Sequence, residues 1–147
     1  MHPNLSKRCE KVIRLANTIA HEYEQEYVGT EHLLLAIARE GTGPAVAFLE
    51  SQGVDGPRLK TEVDKLLKQS MEDTWVFGRL PGTPHFRNVM SGAIEAAKRL
   101  GSKEIRVEHL FLGLLTEKGS VAETALADAG ITLSLAEKGI TKLAKKT

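Results

Sequence analysis

The sequence has few of the features that stabilise secreted proteins or anchor membrane proteins. Cys9 is the single cysteine, which excludes an internal disulfide and a multi-cysteine zinc site and fits a reducing compartment. The longest apolar runs, Leu33–Ala38 and Leu110–Leu115, are far shorter than the roughly 20 residues that cross a bilayer. Residues Met1–Ser6 do not combine a basic segment with an apolar one, so we expect no secretory signal.

An excess of charge of either sign is also missing. The chain has 20 Lys and Arg against 19 Asp and Glu, so its formal net charge is +1. Because so weak an overall field recruits neither nucleic acid nor an anionic membrane, neither is an expected partner. The length of 147 residues fits one domain with a real core.

Short motifs of the common catalytic and nucleotide-binding sites are absent as well. The sequence has no G-x-x-x-x-G-K-[ST], G-x-G-x-x-G, H-E-x-x-H or G-x-S-x-G pattern. Cys9 falls on the apolar stripe of a predicted helix, where a cysteine usually belongs to the core. We therefore expect no enzyme, no cofactor and no metal site, and a small hydrolase or metal enzyme is the weakest alternative.

What the chain does contain is an internal duplication. The stretch Gly29-Thr30-Glu31-His32-Leu33-Leu34-Leu35 recurs as Arg106-Val107-Glu108-His109-Leu110-Phe111-Leu112, with the histidines 77 positions apart. At that offset, residues 6–55 align without a gap with residues 83–132 and share eleven identities, where composition alone would give roughly three. Such a repeat has to be recognised before a fold is argued, because each copy is one structural unit.

Apolar residues at helical spacing predict four helices in each copy. The predicted helices span about residues 6–23, 31–39, 44–51 and 57–67, then 84–100, 107–117, 120–129 and 133–143. No clear period-two alternation is present, so we predict an all-α fold of eight helices, arranged as two four-helix repeats with pseudo-two-fold symmetry. Residues 1–147 form a single domain, with repeat one at about 5–67, a linker at about 68–82 and repeat two at about 83–145.

The polar residues of the repeated motif have a functional and a structural interpretation. For His32 and His109 we favour the structural one, a partly buried imidazole at a helix start that bonds backbone of the neighbouring helix. For Glu31 and Glu108 two roles remain open: an acid that favours the helix dipole, or a carboxylate that holds a guanidinium beside N–H groups that hold an anion. We expect each glutamate to lie near the first helix of its own repeat, at Ser6 or Thr83.

The motif Gly29–Leu35 followed by Arg39-Glu40-Gly41 resembles the G-T-E-H-[IL]-L-L-G…R-E-G signature of the Clp N-terminal domain. This double repeat stands at the front of Clp-type AAA+ unfoldases, and the resemblance is strongest to the ClpC type. It covers about Leu5 to Leu143 and includes the Thr83-Pro84 start of the second copy. The second motif departs from it with Arg106-Val107 in place of Gly-Thr, which removes a capping hydroxyl and adds a bulky cation.

The resemblance implies a non-catalytic, monomeric and cytoplasmic module that binds substrates or adaptor proteins of the Clp ATPase and protease machinery. In the ClpC branch, the matching glutamates receive phosphoarginine, a mark for degradation. The implied site residues are the guanidinium acceptors and the hydroxyls beside them: Glu31, Glu108, Thr30, Ser6 and Thr83.

One alternative is a stand-alone accessory or scaffold protein that docks onto a Clp subunit. Its docking surface would be the linker aromatics around Trp75–Leu80. If these aromatics do not bind a partner, we expect them to pack across the two halves.

Overall fold

The structure, a computed structural model, describes residues 4–25, 27–67 and 84–145. The described part is built of eight helices and one pair of two-residue strands. In chain order they are β1 (Asn4–Leu5), α1 (Lys7–Glu22), α2 (Thr30–Glu40), α3 (Pro44–Ser51), α4 (Gly56–Leu67), α5 (Pro84–Arg99), β2 (Glu104–Ile105), α6 (Val107–Thr116), α7 (Val121–Asp128) and α8 (Leu133–Lys145). The predicted linker and Thr83 lie outside the described residues.

The helices repeat at the spacing of the duplication. α1, α3 and α4 each begin 77 positions before α5, α7 and α8, and α2 begins 77 positions before α6. The predicted all-α fold is confirmed, and each predicted helix end lies within a few residues of the observed one. In the described part of the chain, no helix is long and apolar enough to cross a membrane.

The two copies bury one continuous core. α2 and α6 are buried on nearly every side, and Phe48 of α3 meets Phe111 of α6 edge-on, with ring centroids 6.4 Å apart. Cys9 is fully buried in this core, as its place on the apolar stripe of α1 predicts, and burial raises the pKa of its thiol to about 12. Helices of this length are unstable alone, so the shared core has to hold both repeats together.

A helix predicted to begin at residue 31 makes Thr30 its N-cap, and this prediction is wrong. Gly29 is the N-cap of α2, and Thr30 is the first residue of the helix. The Thr30 hydroxyl accepts a hydrogen bond of 3.2 Å from the Ala122 N–H, 92 positions away at the start of α7. Repeat one therefore caps a helix of repeat two, and Ser120 caps the same helix by accepting from the Glu123 N–H.

The strand pair is the other feature that the sequence analysis missed. β1 and β2 run parallel, with Leu5 opposite Ile105, and the Ser6 N–H donates to the Ile105 carbonyl at 2.9 Å. Two-residue strands are too short to show period-two alternation, which explains why the pattern gave no sign of them. This ladder ties the start of α1 in repeat one to the segment that leads into α6 in repeat two.

Candidate functional site

Both histidines of the repeated motif complete the first turn of their own helix. The Gly29 N–H donates to Nδ1 of His32 at 2.8 Å, and the Arg106 N–H donates to Nδ1 of His109 at 2.9 Å. Each imidazole therefore fills the place that Glu or Gln takes in a capping box. The predicted structural role of both histidines is confirmed. The prediction that they bond backbone of the neighbouring helix is wrong, because each bonds the N-cap of its own helix.

Burial favours the neutral form of both imidazoles. It lowers the pKa of His32 to about 4, and it also lowers the pKa of His109, where the nearby Glu108 carboxylate opposes the shift. Since Nδ1 accepts a hydrogen bond, the neutral ring carries its hydrogen on Nε2. The residues that the structure describes include no group of three or more His, Cys, Asp or Glu side chains suited to a metal.

The first glutamate of the motif is enclosed by its own repeat. Glu31 is fully buried, and its Oε2 accepts a hydrogen bond of 3.2 Å from the Tyr27 hydroxyl. Its carboxylate lies over the Cα of Gly29, so closely that a Cβ at position 29 would collide with it. Glu31 is therefore closed to a ligand in this structure, and the Tyr27 side chain is one of the groups that contact its carboxylate.

The second glutamate opens into a cavity. Glu108 is 9% exposed, and in the described ranges no hydrogen bond or ion pair reaches its carboxylate. The cavity has a volume of about 560 Å³. Its lining comes from both repeats: Ser6, Arg8, Gly43, Pro44, Glu104, Arg106, Val107 and Glu108.

Three helix starts meet at this cavity. Ser6 is the N-cap of α1, Gly43 the N-cap of α3 and Arg106 the N-cap of α6. The Ser6 hydroxyl accepts from the Cys9 N–H at 3.1 Å, which leaves its own hydrogen free to donate to a ligand. Helix N-termini attract anions because their first N–H groups lack partners within the helix. The cavity thus places a nearly buried carboxylate beside positive helix ends.

The charged side chains at the rim balance one another. The Arg8 guanidinium lies 3.6 Å from the Glu40 carboxylate, and Nε of Arg106 lies 3.5 Å from the carboxylate of Glu104. Both arginines are about half exposed, so they can turn toward an anion at little cost. The arrangement suits a ligand that carries a cationic and an anionic group close together.

The structure pairs the predicted site residues across the repeats. Ser6 shares a cavity with Glu108 because the β1–β2 ladder holds the two segments together, whereas the sequence analysis had paired Ser6 with Glu31 of the same repeat. Thr30 is fully buried and its hydroxyl accepts from α7, so burial and not its hydrogen bonding keeps it from a ligand. The predicted role of Thr83 falls outside the described residues.

The exchange of Gly29 for Arg106 between the copies explains why one glutamate is covered and the other open. Glu31 folds back over the space where residue 29 has no Cβ. Arg106 occupies the matching position and carries a Cβ, which denies Glu108 the same conformation. Arg106, which departs from the motif of repeat one, therefore leaves the Glu108 carboxylate directed into the cavity. The substitution is visible in the sequence, but its effect depends on packing.

Gly29→Ala tests this explanation. We expect the added methyl group to displace the Glu31 carboxylate and to lower the free energy of unfolding by about 1–3 kcal/mol, the usual cost of overpacking. Gly56→Ala is the matched control, since a Cβ there would lie 3.9 Å from the Ala38 Cβ, an ordinary contact. Denaturant unfolding of both variants gives the comparison, and equal stability of the two would contradict the explanation.

Comparison with known proteins decides the family. The family model described as the Clp repeat (R) N-terminal domain matches residues 4–76 and 81–147. This chain belongs to that family. The Clp-domain resemblance predicted from the motif at Gly29 is confirmed.

Known relatives and solved structures agree with this family. The chain is 30% identical over 143 residues to the Negative regulator of genetic competence ClpC/MecB of Bacillus subtilis, which covers 97% of this chain and 17% of the relative. It is 35% identical over 130 residues to Chaperone protein ClpC2, chloroplastic, of Oryza sativa subsp. japonica, covering 88% and 14%. The Clp domain described here thus spans less than a fifth of these relatives.

Two solved N-terminal domains have the same fold. That of ClpD from Arabidopsis thaliana superposes with a TM-score of 0.77 at 19% identity, covering 97% of this chain and 95% of that chain. The Hsp104 N-terminal domain from Candida albicans superposes with a TM-score of 0.76 at 12% identity, covering 98% and 93%. At these identities the likeness establishes the fold alone.

Several cavity residues escaped the sequence analysis. Arg8, Gly43 and Glu104 line the cavity with Glu108, yet none of them belongs to the repeated motif. The one available signal was the proline at the start of α3, which marks a helix N-terminus. Nothing local indicated that this helix start would face the start of α6.

Proposed function

We propose that this chain is a non-catalytic recognition module of a Clp AAA+ system that binds substrate or adaptor proteins, and that it recognises phosphoarginine in the cavity at Glu108. The observation that carries the proposal is the nearly buried carboxylate beside three helix N-termini. A phosphoarginine side chain has a guanidinium for the carboxylate and a phosphoryl group for the N–H groups. Membership in the family supports the coarser function, because its relatives include proteins named as Clp chaperones and as an ATP-binding subunit of a Clp protease.

The contacts expected in such a complex follow from the lining. The guanidinium donates to the Glu108 carboxylate, and the phosphoryl oxygens accept from backbone N–H groups at the start of α3 and from the Ser6 hydroxyl. Arg8 and Arg106 then leave their partners at the rim to face the phosphoryl group. Glu31 and Thr30 form the second candidate site, which needs the Tyr27 side chain to move before a ligand enters.

Titration of isotope-labelled protein with free phosphoarginine tests the proposal. We expect saturable amide shifts at Ser6, Ala45 and Glu108, and smaller or no shifts at Thr30 and Glu31. Arginine alone and inorganic phosphate alone are the controls, since each supplies only one of the two recognised groups, the guanidinium or the phosphoryl group, and is expected to bind more weakly. No shift at millimolar phosphoarginine would overturn the reading of this mark, while shifts only at Glu31 would move the site to the first repeat.

A further inference from the structure

A second cavity lies on the other side of Glu108 and Arg106. It has a volume of about 270 Å³ and lies between the end of α5, the start of α6 and the end of α8. Its lining combines apolar and polar side chains: Leu100, Ser102, Arg106, Glu108, His109, Ile140 and Thr141. The duplication allows each of these positions to be compared with its counterpart in repeat one.

In repeat one, the chain's own tyrosines occupy the corresponding place. The rings of Tyr23 and Tyr27 pack on the His32 imidazole, with centroids 5.9 and 5.6 Å away. The Tyr23 hydroxyl donates to Oδ1 of Asp64 at 2.9 Å, and the Tyr27 hydroxyl donates to Oε2 of Glu31 at 3.2 Å. Two phenol rings thus cover the Glu-His pair.

In repeat two, neither ring is present. Leu100 stands at the position of Tyr23 and is 38% exposed, and Glu104 stands at the position of Tyr27. The Glu104 carboxylate lies beside the Arg106 guanidinium at the rim, where it leaves the space over His109 open. The carboxylate of Glu108, whose counterpart accepts a phenol O–H, has no such donor within the described residues.

The open space is large enough for the missing ring. An apolar cavity of about 150 Å³ holds benzene, so about 270 Å³ accommodates a hydroxyphenyl group. Leu100 and Ile140 offer apolar contacts to the ring, and His109 offers an imidazole that corresponds to His32, on which the tyrosines of repeat one pack. Tyrosine suits a site that is apolar at one end and polar at the other, because its body is apolar and its hydroxyl needs a partner.

We propose that this cavity binds a tyrosine side chain presented by a partner protein, with the ring between Leu100, His109 and Ile140 and the hydroxyl donating to Glu108. This inference rests on one part of the proposed function, namely that the chain binds segments of other proteins. Because both cavities share Arg106 and Glu108, a bound tyrosine lies next to the phosphoarginine cavity. The preferred partner segment therefore carries a tyrosine close to its phosphoarginine.

Titration of the labelled protein with p-cresol, the side-chain analogue of tyrosine, tests the inference. We expect saturable amide shifts at Leu100, His109 and Ile140 and none at the matching residues of repeat one, whose space is filled. Toluene lacks the hydroxyl and is expected to bind about tenfold more weakly, since a hydrogen bond to a charged group is lost. Equal binding of the two probes, or shifts spread evenly over the protein, would overturn the proposal.

A space-filling variant separates this cavity from the phosphoarginine cavity. Leu100→Tyr restores the residue type of repeat one and is expected to abolish p-cresol binding while leaving the phosphoarginine titration unchanged. Leu135→Tyr is the matched control, because Leu135 is exposed to the same degree and lies outside the cavity. If Leu100→Tyr binds p-cresol as tightly as the unaltered protein does, the inference about this cavity is overturned and the proposed function is not. If the unaltered protein binds p-cresol but does not bind phosphoarginine, the proposed function is overturned and the inference is not.

Discussion

Glu108→Gln is expected to weaken phosphoarginine binding by about 10- to 150-fold, the equivalent of about 1.5–3 kcal/mol for a hydrogen bond to a charged group. The substitution preserves the size and the packing of the side chain but removes the charge that the guanidinium needs. Since Glu108 is nearly buried, water does not screen that charge as it would at the surface. Isothermal calorimetry of the variant and the unaltered protein measures the difference.

Two matched variants show whether position or mere charge matters. Glu104→Gln removes a carboxylate from the same cavity, but that side chain is 41% exposed and pairs with Arg106 at the rim. We expect its effect on affinity not to exceed about fivefold, since surface ion pairs contribute at most about 1 kcal/mol. Glu31→Gln should leave the affinity nearly unchanged, and a loss as large as that of Glu108→Gln would show that the first site also binds.

Acid is expected to destabilise the domain through His32. Burial lowers the pKa of this imidazole from 6.5 to about 4 in the folded protein. Above pH 6.5 the His32 imidazole is neutral in both the folded and the unfolded protein. As the pH falls from 6.5 toward 4, the imidazole becomes protonated in the unfolded chain but stays neutral in the folded protein. Stability therefore falls over this window and levels off below it, with a loss of about 3 kcal/mol from this group.

His32→Gln isolates the contribution of the imidazole. Glutamine at the same helix position can still accept the Gly29 N–H, as in a capping box, but it does not titrate. We expect the variant to lose most of the fall in stability between pH 6.5 and 4, measured by denaturant unfolding at each pH. His109→Gln is the matched variant in repeat two, with a smaller effect because Glu108 opposes the pKa shift there. An unchanged pH dependence in His32→Gln would rule out this imidazole as the cause.

The duplicated copies have diverged in how they treat the same Glu-His pair. In repeat one, Gly29 and two tyrosines allow the carboxylate of Glu31 to fold back and be covered. In repeat two, the residues at those three positions are Arg106, Leu100 and Glu104, and cavities remain on two sides of Glu108. A covered copy and an open copy of one motif thus share a single core.

The helices, the duplication and the family of this domain follow from local patterns of residue types. Helical hydrogen bonds join residues four apart, so the local spacing of apolar residues, the proline at the start of α3 and the glycine after α2 were enough to place them. The repeated Glu-His motif lies in two short stretches, and it predicts Glu31 and Glu108 as candidate site residues without any knowledge of packing.

Which glutamate is open, and what surrounds it, depends on contacts between residues far apart in the chain. Ser6 reaches Glu108 through a strand pair that joins residues about 100 positions apart, and Thr30 finds its partner 92 positions away. Burial of Glu31 depends on a missing Cβ at Gly29 and on the path of the Tyr27 side chain. Contacts of this kind are set by how the two repeats pack together, and no local pattern of residue types records that packing.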